Sequence, residues 1–483
     1  MKNYILLFLT VVLLSSCENI LEEVPKNFIS RVNYYQNETD AQGAINGVYS
    51  TLSPDYFNIH IYLMEELHGD YLNGRGGQAA VSYVDQLLNT TGINYAASNW
   101  NYRYSLINRT NSVLDNVPNI ENISEAARNR IMAEAHFLRA MTYFDLVRLF
   151  GPVPLRLNES TDFSTLAAPR VPVDKVYEQI LEDALAAENN LPANVGTSTG
   201  KANKWAAKML LANIYLTLGD WEQAAQKAND VINSDEYSLV NVQVPDDFYK
   251  IFAGSTSSED IMSVHHSETR TSQVPIFMHY GNALPWNPGT GYYAWLPDTN
   301  SWIGQSWNNL DLRKSFNFYR RYQNSKGEWV LLPSTVPILF KKFIKSPEGL
   351  SLYSLPIYRY AEALLIYAEA SCMAEGSPSA LALERLNMVR RRAYGYDPAV
   401  SSPVDYSSGM SKDQFREVVL QERGYEFILE RKRFYDLKRT GTIKEAFAKV
   451  GKNFIDERLF FPIPQDEINN NPALTQTDQN PGY

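Results

Sequence analysis

Long stretches of this chain place apolar residues three and four positions apart, and other stretches with no period at all separate them. Between Arg128 and Phe150, Ile131, Ala135, Leu138, Met141, Leu146 and Leu149 recur at helical spacing, and Gly151-Pro152 then stops the run. The same reading predicts helices over 176–191, 204–218 and 221–232, and later over 358–374, 379–392 and 411–439, the last broken or kinked near Gly424. From about 236 to 356, Pro, Gly, Ser and aromatic residues replace Ala and Leu, which predicts loops and short strands. The pattern is that of a mainly α protein with loop-rich insertions.

One predicted pair of helices has a repeat grammar. Leu211, Ala212, Tyr215, Gly219, Trp221, Ala224 and Ala228 fall at the offsets of a tetratricopeptide unit, where small residues let two antiparallel helices approach and the tyrosine fills the gap. Ala140 with Tyr143 and Leu364 with Tyr367 echo the same step. A unit of this kind cannot bury its apolar face alone, so a stack of three or four helix pairs is expected.

Two aperiodic stretches carry the candidate chemistry. Tyr280, Trp286, Tyr292, Tyr293, Trp295, Trp302 and Trp307 crowd into 279–307, which holds half of the eight tryptophans. A second stretch, 68–104, contains Asp70, Tyr71, Asn73, Arg75, Tyr83, Trp100, Tyr102 and Tyr104. Rings set in loops offer flat apolar faces, and neighbouring Asp, Asn and Arg groups bond polar edges, a mixture that suits a sugar ring. Trp286, Tyr292, Tyr293, Trp295 and Trp302 are the expected stacking platform, with Asp70, Asn73, Arg75 and Tyr83 supplying polar contacts across a cleft. The competing reading for any single ring is that it pins a loop onto the helical body.

The N-terminus changes the cellular picture. Lys2 precedes an apolar run from Tyr4 to Leu14, about 11 residues against the ~20 that a membrane-spanning helix needs. Its ending, Leu14-Ser15-Ser16-Cys17, resembles the lipobox of bacterial lipoproteins, which implies cleavage before Cys17 and acylation of its thiol; an ordinary leader cut near Ser15 or Ser16 is the alternative. Composition behind it is that of an ordinary globular body, with 45% hydrophobic and 20% charged residues and no second apolar run able to cross a bilayer. Loss of Lys2 makes the formal charge of −10 one unit more negative, which argues against a nucleic-acid partner. With Cys17 committed to lipid, only Cys372 remains, inside an apolar helical pattern, so an internal disulfide is excluded and a buried thiol is expected.

Catalytic and metal-binding patterns are thin, and no cofactor, metal or catalytic residue is assigned. His265-His266 with Glu268 lacks a spacing that puts two ligands on one helix face. The stretch Gly196 to Lys201 has three residues between its glycines and Ala202 where a phosphate loop needs a hydroxyl. In 421–439, Glu422, Glu426 and Glu430 follow one another at i,i+4 with Arg431, Arg433 and Arg439 close behind, a pattern read as an ion-pair network joining this helix to its neighbours, and Arg359, between Tyr358 and Tyr360, is expected to belong to a similar network.

PIYRYAEALLIYAEA (356–370), ERGYEFILERKRFYDLKRTG (422–441) and LFFPIPQDEINNNPALTQTDQNPGY (459–483) resemble the C-terminal motifs of the SusD/RagB family, and INGVYSTL (45–52), INRTNSVLDNV (107–117) and AEAHFLRAMTYFDLVRLFGPVPL (133–155) resemble its N-terminal half. The resemblance implies a SusD-like fold, with a leader at 1–16, an N-terminal region with tetratricopeptide-like helices at 17–235 and a C-terminal region with aromatic loops at 236–483, packed as one unit. It also implies a lipid-anchored outer-membrane protein of the cell surface, not an enzyme, that captures oligosaccharides for a SusC-type TonB-dependent transporter. Peptide uptake is the first rival, since a tyrosine-lined groove also serves an extended chain. A surface glycosidase is the second.

Overall fold

The computed structural model describes residues 34–52, 59–77, 94–161, 167–196, 200–252, 257–266, 280–281, 292–297, 303, 306–343 and 354–483. The leader with Cys17, together with Tyr83, Trp286 and Trp302, lies outside the described residues. Helices α1 (Glu38–Thr51), α2 (Ile59–Leu67), α3 (Asn94–Asn116), α4 (Glu125–Phe150), α5 (Val173–Asn190), α6 (Lys204–Leu218) and α7 (Trp221–Ile232) come first, and α8 (Leu312–Asn317) follows in an insertion. Beyond it lie α9 (Tyr360–Glu375), α10 (Ala380–Ala393), α11 (Lys412–Glu426), α12 (Arg433–Arg439), α13 (Ile443–Lys449) and α14 (Gln465–Asn470). From α3 to α7 each helix packs on the next, and α7 packs on α9, which meets α10 and α11. The insertion leaves the helical stack after α7 and returns to it at α9, so the repeat continues across a gap of more than a hundred residues in sequence.

The predicted helical hairpin shows how local sequence builds the stack. Asn203 caps α6, its Oδ1 accepting the Ala206 N–H at 2.8 Å. Gly219 ends α6 in the left-handed region at φ 78°, and Asp220 at once caps α7 by accepting the Gln223 N–H. Ala212, Ala224 and Ala228 are fully buried, while Tyr215 packs on the core from the side. Gly219→Ala should cost ~1–2 kcal/mol, because a Cβ at positive φ is strained, whereas the nearest ring, Trp221, stands at an ordinary 3.5 Å from where it would sit. A lowered midpoint in urea, with partial recovery in Gly219→Asn, checks this.

Among the described residues ten short strands decorate the helices: β1 (Asn73–Gly74), β2 (Val153–Pro154), β3 (Arg170–Val171), β4 (Asp260–His265), β5 (Ala294–Trp295), β6 (Phe318–Tyr319), β7 (Arg321–Gln323), β8 (Trp329–Leu331), β9 (Leu339–Phe340) and β10 (Ser354–Arg359). They pair only two by two, all antiparallel: β1 with β5, β2 with β3, β4 with β10, β6 with β9, and β7 with β8. β10 is fully buried and runs directly into α9, delivering Arg359 to the centre of the molecule. One apolar core extends from Ala41 to Ile468 and draws on residues both before and after 235.

One expectation is corrected and another sharpened. The stretch 68–104 is not aperiodic throughout: α3 starts at Asn94, and Trp100 is 1% exposed, packed edge-on against Phe150. Its polar neighbours are buried as well, so hydropathy carries no stripe; Asn99 bonds the Tyr95 carbonyl and Arg103 the Glu65 carboxylate. The break expected near Gly424 is present and falls at 427–432, just beyond Gly424, which itself lies inside α11. There Leu429 (φ 60°) and Arg431 (φ 59°) take left-handed backbone. The turn is held by tertiary contacts: Tyr62 donates its hydroxyl to the Leu429 carbonyl, and Glu66 accepts the Arg431 N–H at 2.5 Å.

That turn serves the ion-pair network read from the sequence. Arg359 contacts Glu426 at 2.5 Å, Glu430 at 2.8 Å and Glu259 at 3.1 Å. Arg392 bridges Glu259 and Glu426, Arg313 bridges Asp311, Glu422 and Glu426, and Lys342 reaches Glu430. All these groups are buried, so cations separate each pair of glutamates that helical spacing alone would set against each other.

Candidate functional site

The two stretches that carried the candidate chemistry meet. β1 pairs with β5 so that Asn73 lies opposite Trp295 and Gly74 opposite Ala294. Arg75 continues the junction, its N–H donating to the Tyr293 carbonyl at 2.8 Å and its Nη1 to the Tyr292 carbonyl at 3.3 Å. Its guanidinium carbon lies 5.0 Å from the centre of the Tyr292 ring, within the range of a cation–π contact.

Around this junction the rings form a continuous set. Tyr280 and Tyr292 are nearly parallel, 10° apart with centroids 5.9 Å apart, and Tyr322 tilts against Tyr280 at 5.2 Å. Trp295 stands edge-on to Tyr292 at 6.0 Å. The four rings sit, half-buried, on a small apolar cluster of Tyr319, Leu332, Val336 and Leu339 that is separate from the main core. Tyr319 ties the set down by accepting the Tyr280 N–H at 2.9 Å. Burial pushes the Tyr319 phenol well up, and burial together with Tyr280 raises Tyr322, so both rings stay neutral.

The other expected residues divide. Tyr293 packs against the main core, the alternative role foreseen for single rings. Trp307 does so more completely, 3% exposed and stacked on Tyr425 at 4.6 Å. Asp70 does not face the rings: it is 2% exposed, and both carboxylate oxygens are taken by Arg433, at 2.8 and 2.6 Å, which fastens this loop to α12. Nearby His68 is buried edge-on against Phe461 and Phe434, and burial pulls its imidazole down to about 3, so it is neutral. Tyr83, Trp286 and Trp302 lie outside the described residues. Tyr322 was not among the expected site residues. Its signal is the hairpin Arg321-Tyr322-Gln323 and Trp329-Val330-Leu331 around a turn closed by Gly327.

Among the described residues no group of three or more His, Cys, Asp or Glu is arranged to hold a metal ion, and no helix is long and apolar enough to cross a membrane. The arrangement offers neutral aromatic faces, phenolic hydroxyls and one guanidinium, which is the equipment of a binding surface.

A tetratricopeptide-like stack with a separate aromatic lobe carried on its insertions is the SusD-like class of fold. The chain belongs to the SusD/RagB family: residues 223–483 match the model of the SusD family, and residues 27–216 match a model described as "Starch-binding associating with outer membrane". It is 28% identical to SusD-like protein P2 of Formosa agariphila over 524 aligned positions, covering 100% of each. Among solved structures it is similar to a SusD homolog from Bacteroides thetaiotaomicron (TM-score 0.81, 22% identity, covering 94% of this chain and 98% of that one). It is similar also to a laminarin-binding SusD-like protein (TM-score 0.75, 24% identity, covering 93% and 100%).

Proposed function

We propose that this protein is a lipid-anchored outer-membrane protein of the cell surface that captures oligosaccharides and delivers them to a SusC-type TonB-dependent transporter. The observation that carries the reading is the set of half-buried rings Tyr280, Tyr292, Trp295 and Tyr322, with Arg75 over one of them, standing on its own small cluster outside the main core. Residues that served only to pin loops would bury their faces in the body, as Trp307 does. The names of relatives support the ligand class: one is a laminarin-binding SusD-like protein and another a surface glycan-binding protein A from Bacteroides fluxus. Asn73 and Arg75 supply polar contacts beside the rings, and Tyr293 backs them. Tyr83, Trp286 and Trp302 join the proposal on their place in the sequence alone. Asp70 is left out, since its carboxylate is already paired.

A capture protein must release its cargo, so a dissociation constant of roughly 1 μM to 1 mM, about −8 to −4 kcal/mol, is expected. Anchor and partner are tested in one preparation. Extraction of membranes in mild detergent should bring down a TonB-dependent barrel in near-equal amount, since holding the site over the pore raises the effective concentration of cargo. Cys17→Ala should move the protein out of the membrane fraction. A variant that still sediments with membranes, or a wild type that purifies alone in several mild detergents, contradicts that part of the reading.

A further inference from the structure

The hairpin that carries Tyr322 has a second face. Strand alternation sends Tyr322 and its partner Val330 to one side and Arg321, Gln323, Trp329 and Leu331 to the other. On that other side lies a groove of about 770 Å³, a size that suits a small-molecule site. Its lining is apolar where the main core meets it, through Leu296, Phe318 and Ile338, and apolar again on the hairpin, through Trp329 and Leu331. Trp329 is 61% exposed and Leu331 73%, so the hairpin keeps in water a ring and a side chain that packing would normally cover. The Arg321 guanidinium lies over the Trp329 ring at 5.4 Å, which steadies the indole from one face. Lys314 is committed elsewhere, its Nζ donating to the Trp307 carbonyl at 2.7 Å and to Asn309 Oδ1 at 2.8 Å. Asn309 and Ser315, both exposed, add a neutral amide and a hydroxyl to the lining.

The groove continues the aromatic site. Tyr319 lies under the four rings and also lines the groove. Trp295 belongs to the ring set, and the next residue, Leu296, lines the groove, held there by its N–H donating to the Ile338 carbonyl at 3.1 Å. An exposed indole beside neutral hydrogen-bonding groups suits an uncharged sugar ring for the same reason that the first set does. We infer that this groove is a second sugar subsite, in which Trp329 stacks a neutral unit of the same captured chain. The cargo is therefore a chain long enough to pass over the hairpin, from the Tyr292 side to the Trp329 side, and a short oligosaccharide fills the first set alone. Joining the two subsites through one ligand adds affinity, because binding at the first raises the effective concentration at the second.

This inference rests on the capture reading above, and the test separates the two. Calorimetry follows two neutral ladders, laminarin and starch oligosaccharides from disaccharide to decasaccharide. In the ladder that binds, affinity should rise with length in a step of at least about fivefold, the low end for a single stacking contact. The step should persist as salt rises from about 50 to 500 mM, since it uses no charge. Trp329→Ala should remove the step while leaving the affinity of the short members and the melting temperature unchanged, and Trp329→Phe should restore part of it. A ladder with no step, or a step that survives Trp329→Ala, overturns the second subsite and leaves glycan capture standing. Loss of the co-purifying barrel in Trp329→Ala with the step intact gives this face to the partner protein and likewise overturns it. No binding of either ladder overturns both.

Discussion

Arg359→Ala lowers the free energy of unfolding by about 3–5 kcal/mol, the cost of removing one partner from a buried ion pair and leaving charge uncompensated. Arg359 is 2% exposed and serves three carboxylates, Glu259, Glu426 and Glu430, besides donating to the Glu426 carbonyl at 2.8 Å. Without it Glu426 keeps Arg313 and Arg392 and Glu430 keeps only Lys342, so the interior holds an excess of negative charge. Arg359→Lys keeps the charge but loses the fork, and falls between the two. Denaturant midpoints by fluorescence check both.

The same network sets the acid limit of stability. Burial alone would raise the carboxyls of Glu426 and Glu430, but Arg392, Arg359 and Arg313 around the first, and Arg359 and Lys342 around the second, outweigh it and hold both below the usual range. Asp436 is held at about 2 in the same way by Arg423 and Arg439. A folded-state value below the unfolded one gives stability that is present above about pH 4.5 and is lost as pH falls toward 2. Stability should therefore drop over that window, and in Arg359→Ala the drop should begin at higher pH. A flat profile from pH 5 to pH 2 contradicts the charged network.

Tyr292→Ala with Trp295→Ala abolishes detectable glycan binding. Each principal stacking ring is worth ~1–3 kcal/mol by analogy with aromatic stacking on nucleic-acid bases, and a ligand held in the micromolar range has little to spare. The rings rest on Tyr319, Leu332, Val336 and Leu339 and contribute little to the main core, so the melting temperature should change little. Tyr319→Ala makes the contrast: it removes the floor beneath the rings and should lose both binding and stability. Calorimetry beside thermal melts reads both variants. A double variant that stays folded and binds like the parent makes these rings loop packing.

The sequence made legible what depends on local period. The helices over 204–218 and 221–232 appear where spacing and caps place them, because Asn203, Gly219 and Asp220 act within a few residues of the turns they set. What could not be read depends on partners far along the chain. Asp70 has the local setting of a ligand contact, but its carboxylate is held by Arg433, 363 residues away. The break at 427–432 has no local breaker; Tyr62 and Glu66 impose it from α2. α3 was hidden because Asn99, Arg103, Thr110 and Asn111 are buried polar residues that erase an apolar stripe. The aromatic site stood out as composition, yet its assembly needed β1 to find β5 across more than two hundred residues.

On the proposed function, ligand binds where the β1–β5 junction gathers the rings. Hydrogen exchange, followed by mass spectrometry with and without a saturating oligosaccharide, tests it most directly. Protection is expected in peptides spanning 73–75, 292–297 and 319–331, with the groove between α11 and α13 around Asp70, Leu420 and Ala446 unchanged. Protection confined to that second groove, with the aromatic segments unaffected, contradicts the account.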